Sequence, residues 1–201
     1  MEKVMVINGS PRAPRSNSKG YAEIFGRFCP CDYFEIDRTN HEKLCLEAEK
    51  YSSVVLVFPL YADGLPVTLL NFLKVFEETA KRTKPKISVI VNCGFFEPHQ
   101  NDISVKMAEL FCKETGAEFV SCLKIASGEA ILTTPFKFLV VRKLKQLAKA
   151  VQNGQKLTLS VTMPISKKFF IKASTKYWIS YGAKYGVSKD EMATMEIEKK
   201  R

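Results

Sequence analysis

Apolar and polar positions follow one rhythm over residues 1–129 and another beyond them. In the first part, short apolar runs alternate with stretches of helical spacing. Lys3–Ile7, Tyr33–Ile36, Ser53–Phe58, Ile87–Asn92 and Phe119–Ile125 read as five strands. The third and fourth are β-branched and almost continuously apolar, as strands covered on both faces are. Between the strands, Tyr21, Ile24, Phe25 and Phe28 share one helical face, and a weaker helix spans Asn40 to Lys50. Leu69, Leu70, Leu73 and Phe76 follow Pro66, a residue suited to a helix's first turn. Ile103, Met107, Leu110 and Phe111 form a further stripe that Gly116 ends in the left-handed region. Five strands separated by four helices predict a parallel sheet with helices on both faces and right-handed crossovers.

After Gly128 the alternation stops. Phe136, Leu139, Val140, Leu144, Leu147, Ala148 and Val151 keep helical spacing up to Gly154, which predicts a fifth helix covering the sheet. Leu157–Pro164 reads as extended or loop-like. A basic helix follows, with Phe170, Ala173, Tyr177, Trp178, Tyr181 and Tyr185 on one side and Gly186 as its stop. Ser188 and Glu191 then have the spacing of a capping box. The organisation expected is one domain over 1–154 and a basic helical extension over 155–201, packed on that domain or on a dimer partner.

Charge sharpens this division. Residues 1–129 carry 16 Lys and Arg against 17 Asp and Glu, whereas residues 130–201 carry 15 against 4. The whole positive excess therefore belongs to the C-terminal third. It admits three readings: a lid or dimer element, a contact with an anionic membrane or nucleic acid, and helices packed on the sheet with solvated lysines. No nucleic-acid motif accompanies the lysines, so nucleic acid is set aside and peripheral contact with an anionic surface is kept as the weaker alternative. No run approaches the ~20 apolar residues of a membrane span, and the N-terminus enters a strand without the order of a signal peptide, so the expected address is the cytoplasm. The cysteines at 29, 31, 45, 93, 112 and 122 lack the spacing of metal ligands and read as reduced, mostly buried thiols.

Candidate chemistry lies in three loops that follow strands. The first, Asn8-Gly9-Ser10-Pro11-Arg12-Ala13-Pro14-Arg15-Ser16-Asn17-Ser18, joins a strand to a helix start through hydroxyl residues and two arginines. Unpaired amides and the helix dipole favour an anion there. The glycine spacings of dinucleotide and Walker loops are absent. A mononucleotide phosphate site remains, as does an ordinary Ser/Pro turn with an N-cap at Asn17 or Ser18. The second loop, Phe58-Pro59-Leu60-Tyr61-Ala62-Asp63-Gly64-Leu65-Pro66, sets Tyr61 where it can border a planar ring, with Leu60 to cover it. The third, Asn92-Cys93-Gly94-Phe95-Phe96-Glu97, offers a glycine for close approach, a thiol and two phenylalanines. Each of the last two loops can also be simply self-packed.

With these loops in order, residues 3–129 resemble the flavodoxin-like NAD(P)H-dependent FMN reductase and quinone reductase superfamily. The resemblance implies an α/β fold, a flavodoxin-like doubly wound five-stranded parallel sheet of order 2-1-3-4-5, here with the basic helical C-terminal extension. It implies FMN as cofactor, its phosphate held by Ser10, Arg12, Ser16, Asn17 and Ser18. The isoalloxazine would be bordered by Pro59, Leu60, Tyr61 and Ala62 and by Cys93, Gly94 and Phe95. It further implies a homodimer and hydride transfer from NADPH or NADH to a small acceptor such as a quinone, nitro compound or flavin. No side chain is expected to be essential, because the chemistry is the flavin's. The alternative is an electron-carrier flavodoxin without nicotinamide turnover; such carriers are usually acidic, unlike this chain.

Overall fold

The computed structural model describes residues 3–79 and 84–194. Its elements run β1 (Val4–Asn8), α1 (Asn17–Gly26), β2 (Cys31–Glu35), α2 (His41–Ala48), β3 (Ser53–Pro59) and α3 (Val67–Thr79). They continue with β4 (Lys86–Asn92), α4 (Asp102–Thr115), β5 (Phe119–Ile125), α5 (Lys137–Gln152), β6 (Leu157–Val161), α6 (Lys167–Lys184) and α7 (Lys189–Ala193). The strands form one parallel sheet of order β2-β1-β3-β4-β5-β6.

The expected five-stranded sheet is thus corrected to six. The order 2-1-3-4-5 holds, and β6 extends it beyond β5. Leu157, Leu159 and Val161 turn inward while Thr158 and Ser160 are exposed. That half-polar alternation belongs to an edge strand and lacks the apolar run that betrays β3 and β4. The chain divides into two compact units between Met163 and Pro164. The sheet unit therefore takes in Leu157–Val161, which the sequence reading had placed with the extension. Residues 195–201 of that extension lie outside the described residues.

Met5, Ile7, Val54, Leu56, Phe58, Val89 and Val91 pack with Leu44, Leu69, Phe72, Phe76, Val105 and Ala108, so α2, α3 and α4 cover one face of the sheet. The other face belongs to α1 and α5, which touch each other. Val140, Leu144, Leu147, Ala148 and Val151 of α5 are buried, as its periodicity predicts. An α5 on α1's face has a consequence for topology. The crossover from β5 through α5 to β6 runs with the opposite hand to the others, against the strong right-handed preference of βαβ units. Helix α5 lies on that face over β5 and β6, which would otherwise stand bare beside α1.

Helix α4 corrects another expectation. Its buried side is Ser104, Val105, Ala108 and Cys112, whereas Ile103 and Leu110 are exposed. Small residues let this helix approach the sheet closely; of the stripe read from the sequence, Met107 and Phe111 pack at the margin of the core, while Ile103 and Leu110 do not. The stops were read correctly: Gly116 and Gly154 both have left-handed backbones, with φ of 71° and 60°.

All six cysteines are free, and all but Cys31 are buried. Burial pushes the Cys45 thiol up to about 11 and those of Cys29 and Cys112 up to about 12. A thiol whose folded pKa is raised stabilises the fold fully below its unfolded value near ~8.5 and loses that contribution as pH climbs toward the folded value. The thermal midpoint should accordingly fall between about pH 9 and pH 11. Cys112→Ala, less stable at neutral pH through its cavity, should lose less over that interval, as differential scanning calorimetry would show. Leu144→Ala empties a fully buried site and should cost about 2–5 kcal/mol by urea unfolding.

Candidate functional site

Strand β1 leads through α1 to β2 on one side and its neighbour β3 leads through α3 to β4 on the other, so the connections leaving these adjacent strands diverge. Such a reversal in strand order opens a crevice at the carboxyl ends of the strands, where ligands settle in doubly wound sheets. The loop Gly9–Ser16 and the start of α1 lie there. The Gly9 amide donates to the Val57 carbonyl at 2.9 Å, and the Thr68 hydroxyl donates to the Gly9 carbonyl at 3.1 Å. A Cβ on Gly9 would sit 3.1 Å from the Leu69 Cβ, so glycine lets α3 reach this strand end.

Helix α1 begins one residue earlier than the two alternatives expected. Its N-cap is Ser16, whose Oγ accepts from the Lys19 amide at 3.2 Å. Among the described residues no hydrogen bond takes the amides of Ser16, Asn17 or Ser18. Two turns precede them, in which the Ala13 amide donates to the Ser10 carbonyl and the Arg15 amide to that of Arg12. The Ser10 Oγ accepts from the Arg12 amide at 3.3 Å, which leaves its own hydrogen to donate. Both arginines are exposed. Open amides, a spare hydroxyl hydrogen and exposed guanidinium groups make a donor set fit for a phosphate. Ser18 differs from its neighbours, because its side chain is buried and its Oγ accepts from Asn92 Nδ2 at 3.0 Å. Its amide stays open with those of Ser16 and Asn17, while its hydroxyl is tied to Asn92.

Two asparagines hold this loop. Asn8, the last residue of β1, is fully buried. Its Oδ1 accepts from the Ser10 amide at 3.0 Å, and its Nδ2 donates to the Tyr33 hydroxyl at 2.9 Å and to Ser16 Oγ at 3.3 Å. Tyr33 donates onward to Glu35 Oε1 at 2.9 Å, and Lys19 Nζ stands 3.5 Å from the same oxygen. Burial keeps the Tyr33 phenol protonated far above its ordinary range. Asn92, the last residue of β4, donates to the Phe58 carbonyl as well as to Ser18. Sequence reasoning missed both roles. The available sign was a lone amide side chain closing each of two apolar strands.

The second and third candidate loops take up the next two strand ends. Tyr61 and Gly64 exchange both backbone hydrogen bonds, at 3.1 and 2.9 Å, around Ala62 and Asp63 in the left-handed region. Tyr61 stands 39% exposed at the tip of β3 and Phe95 50% exposed beyond β4. Leu60 does not cover the site from outside. It is buried with Cys93 and Ala126 in a small apolar cluster beneath the loops. The amides of Leu60, Tyr61 and Cys93 are spent on Asn92, Gly64 and Ile125. Those of Ala62 and Gly94 are not used by any hydrogen bond among the described residues. Pro59 ends β3, half-buried. Burial pushes the Cys93 thiol above its ordinary range, and Asn101 Nδ2 lies 3.3 Å from its sulfur, so Cys93 is a wall and not a nucleophile.

The loop after β5 braces this floor. The Ser127 and Gly128 amides donate to the carbonyls of Phe95 and Cys93 at 2.6 and 2.7 Å. The Tyr21 hydroxyl of α1 donates to the Gly128 carbonyl at 2.9 Å. A Cβ on Gly128 would stand 3.0 Å from the Cys93 carbonyl oxygen and 3.1 Å from the Asn92 Cβ, so this position admits only glycine without a backbone shift.

The fold is flavodoxin-like. No protein-family model matches the sequence, and no curated protein matches it. Solved structures do. An NADPH-quinone reductase from P. pentosaceus superposes with a TM-score of 0.58 at 17% identity, over 74% of this chain and 98% of that one. The Trp repressor binding protein of Bacillus subtilis gives 0.60 at 16% identity, over 72% and 97%. An FMN-dependent NADH-azoreductase from Bacillus anthracis, solved with FMN, gives 0.54 at 16% identity, over 74% and 98%. At such identities the likeness establishes the architecture, and the site must be judged on its own residues.

Asn8→Ala removes three hydrogen bonds at a buried position and leaves the Ser10 amide unpaired. It should cost about 1–3 kcal/mol in urea unfolding and more than Asn40→Ala, whose amide works at a more exposed helix start.

Proposed function

We propose that this chain is an FMN-dependent oxidoreductase that passes hydride from NADPH or NADH to a small acceptor such as a quinone, a nitro compound or a flavin. The observation that carries this reading is the row of open amides at Ser16, Asn17 and Ser18, seated at the reversal in strand order with exposed Arg12 beside it. Tyr61 and Phe95, exposed at the next two strand ends, support it by offering apolar walls to a planar ring. The quinone reductase and the FMN-dependent azoreductase among its structural neighbours are consistent with it.

In this reading Ser10, Arg12 and the first turn of α1 hold the phosphate, and Arg15 is a second cation within the same loop. Asn8 keeps the loop in shape by occupying Ser16 Oγ and the Ser10 amide. Pro59, Leu60 and Cys93 form a rigid floor, while the amides of Ala62 and Gly94 are the donors available to a polar ring edge. Bound FMN would supply the two-electron chemistry between nicotinamide and acceptor. The protein's share is to orient the ring, to exclude water from one of its faces, and to leave the other open for each substrate in turn.

Purified protein should bind FMN with a yellow spectrum and oxidise NADPH or NADH continuously when a quinone is supplied. Ser10→Ala combined with Arg12→Ala, which removes the two side-chain donors and leaves the backbone amides, should weaken FMN about 10–100-fold, since hydrogen bonds to a charged group are worth about 1.5–3 kcal/mol. Riboflavin, which lacks the phosphate, should bind the double variant and the parent alike. Equal weakening of both ligands, or of neither, removes the phosphate assignment. Binding of flavin without nicotinamide turnover would identify an electron carrier instead.

A further inference from the structure

Lys19 is a cation at the anion site to which the flavin reading gives no role. It is the third residue of α1, next after the open amides of Ser16, Asn17 and Ser18. Its own amide closes the cap by donating to Ser16 Oγ at 3.2 Å. Side chains in a helix lean toward its N-terminus, so an arm at this position can reach the ligand end of α1. The ammonium stands 3.5 Å from Glu35 Oε1, at the end of β2, and 5.9 Å from the centre of the Tyr33 ring.

This ion pair is loosely held. Lys50 with Glu47 and Lys124 with Asp102 close to 2.7 Å, within hydrogen-bond distance, whereas Lys19 stays at 3.5 Å. The oxygen it faces already accepts from the Tyr33 hydroxyl at 2.9 Å, so Lys19 shares an atom that a shorter bond has taken. Both side chains are about a third exposed, at 35 and 30%, and exchanging such a pair for another anion costs little. Tyr33 in turn accepts from Asn8 Nδ2 at 2.9 Å, and that nitrogen also donates to Ser16 Oγ at 3.3 Å. Glu35 and the cap of α1 are therefore the two ends of one hydrogen-bonded chain. Lys19 touches both ends, with its amide on Ser16 and its ammonium beside Glu35.

We propose that Lys19 is a further binding residue of this site, whose ammonium turns from Glu35 to the phosphate group of a bound phosphate monoester, and that Glu35 sets the affinity by competing for it. A phosphate monoester carries about −1.5 to −2 charges and three strong acceptor oxygens. The Glu35 carboxylate carries one charge and keeps the Tyr33 hydroxyl after the exchange, so it is not left without a partner. The ligand gains a charge-assisted bond in addition to the open amides and the exposed guanidinium groups of Arg12 and Arg15. A ligand without the phosphate gains nothing from the exchange. The pair thus selects phosphate-bearing ligands over their neutral counterparts. The inference rests on the reading of this loop as a phosphate site, whatever group the phosphate is attached to.

The flavin-free full chain is titrated at low salt with FMN, riboflavin and inorganic phosphate, flavins by fluorescence quenching and phosphate by its effect on the thermal midpoint. Lys19→Gln should weaken FMN about tenfold and leave riboflavin within about twofold. Lys19→Arg, which keeps the charge, should restore most of the loss. Glu35→Gln, whose amide oxygen still accepts from Tyr33, should tighten FMN at least about threefold, and the gain should vanish in the Lys19→Gln background. Phosphate should raise the midpoint of the parent and raise that of Lys19→Gln less. The circular dichroism of all variants should match the parent. The proposal is overturned if Lys19→Gln binds FMN and phosphate as the parent does, if Glu35→Gln weakens FMN, or if its gain persists without Lys19. Phosphate stabilisation that depends on Lys19, in a chain that binds no flavin, upholds the role of Lys19 and removes the flavin reading. A chain that responds to neither phosphate nor FMN overturns both.

Discussion

A buried amide that must be satisfied shapes the whole ligand end of this protein. Asn8 closes the most central apolar strand of its half of the sheet and is fully buried there. An unpaired amide in such a place costs a few kcal/mol, and both N–H groups and the oxygen of this side chain are paired. Its three partners are the Ser10 amide, the Ser16 hydroxyl and the Tyr33 hydroxyl. One side chain thereby fixes the first turn of the loop, the cap of α1 and the end of β2. Asn92 repeats the device one strand past β3, tying α1 through Ser18 to the strand end. The helix N-terminus that can receive an anion is positioned by these two amides more than by its own residues.

Much of this architecture could be read beforehand, and the failures share a cause. Strands β3 and β4 are apolar on both faces, which identifies them without knowledge of their neighbours. The loops and their order followed, and with them the resemblance whose fold the superpositions bear out. Strand β6 was hidden because its status depends on what lies beside it: five residues alternating at a sheet edge look like loop until β5 supplies the partner. Helix α4 is rotated from the stripe its large apolar residues suggest, because Ser104 and Ala108 are what the sheet admits and Met107 and Phe111 take the margin of the core. The partners of Asn8 lie 8 and 25 residues away, so no local pattern could show them.

The addition of β6 also explains why the sheet unit runs past the minimal fold. With α5 committed to α1's face, the position left for the next extended segment is the outer edge of β5. Taking it requires the disfavoured crossover hand, yet it covers the open edge of β5 and presents a half-polar edge in its place. Thr162, immediately after β6, donates to the Phe96 carbonyl at 2.7 Å and meets Ser127 at 3.0 Å. The added strand thus reaches back to brace the loop that follows β4.

The closed turn at Tyr61–Gly64 bears on the speed of recognition. Two backbone bonds exchanged around two left-handed residues leave this segment few alternative shapes. Its aromatic wall is therefore in place before anything arrives, and a planar guest pays little ordering entropy to meet it. A surface prepared in that way behaves as a slot and not as a closing jaw. In the function proposed above, one flat substrate would replace another at the pace of diffusion and desolvation, without waiting for the protein to refold around each visitor.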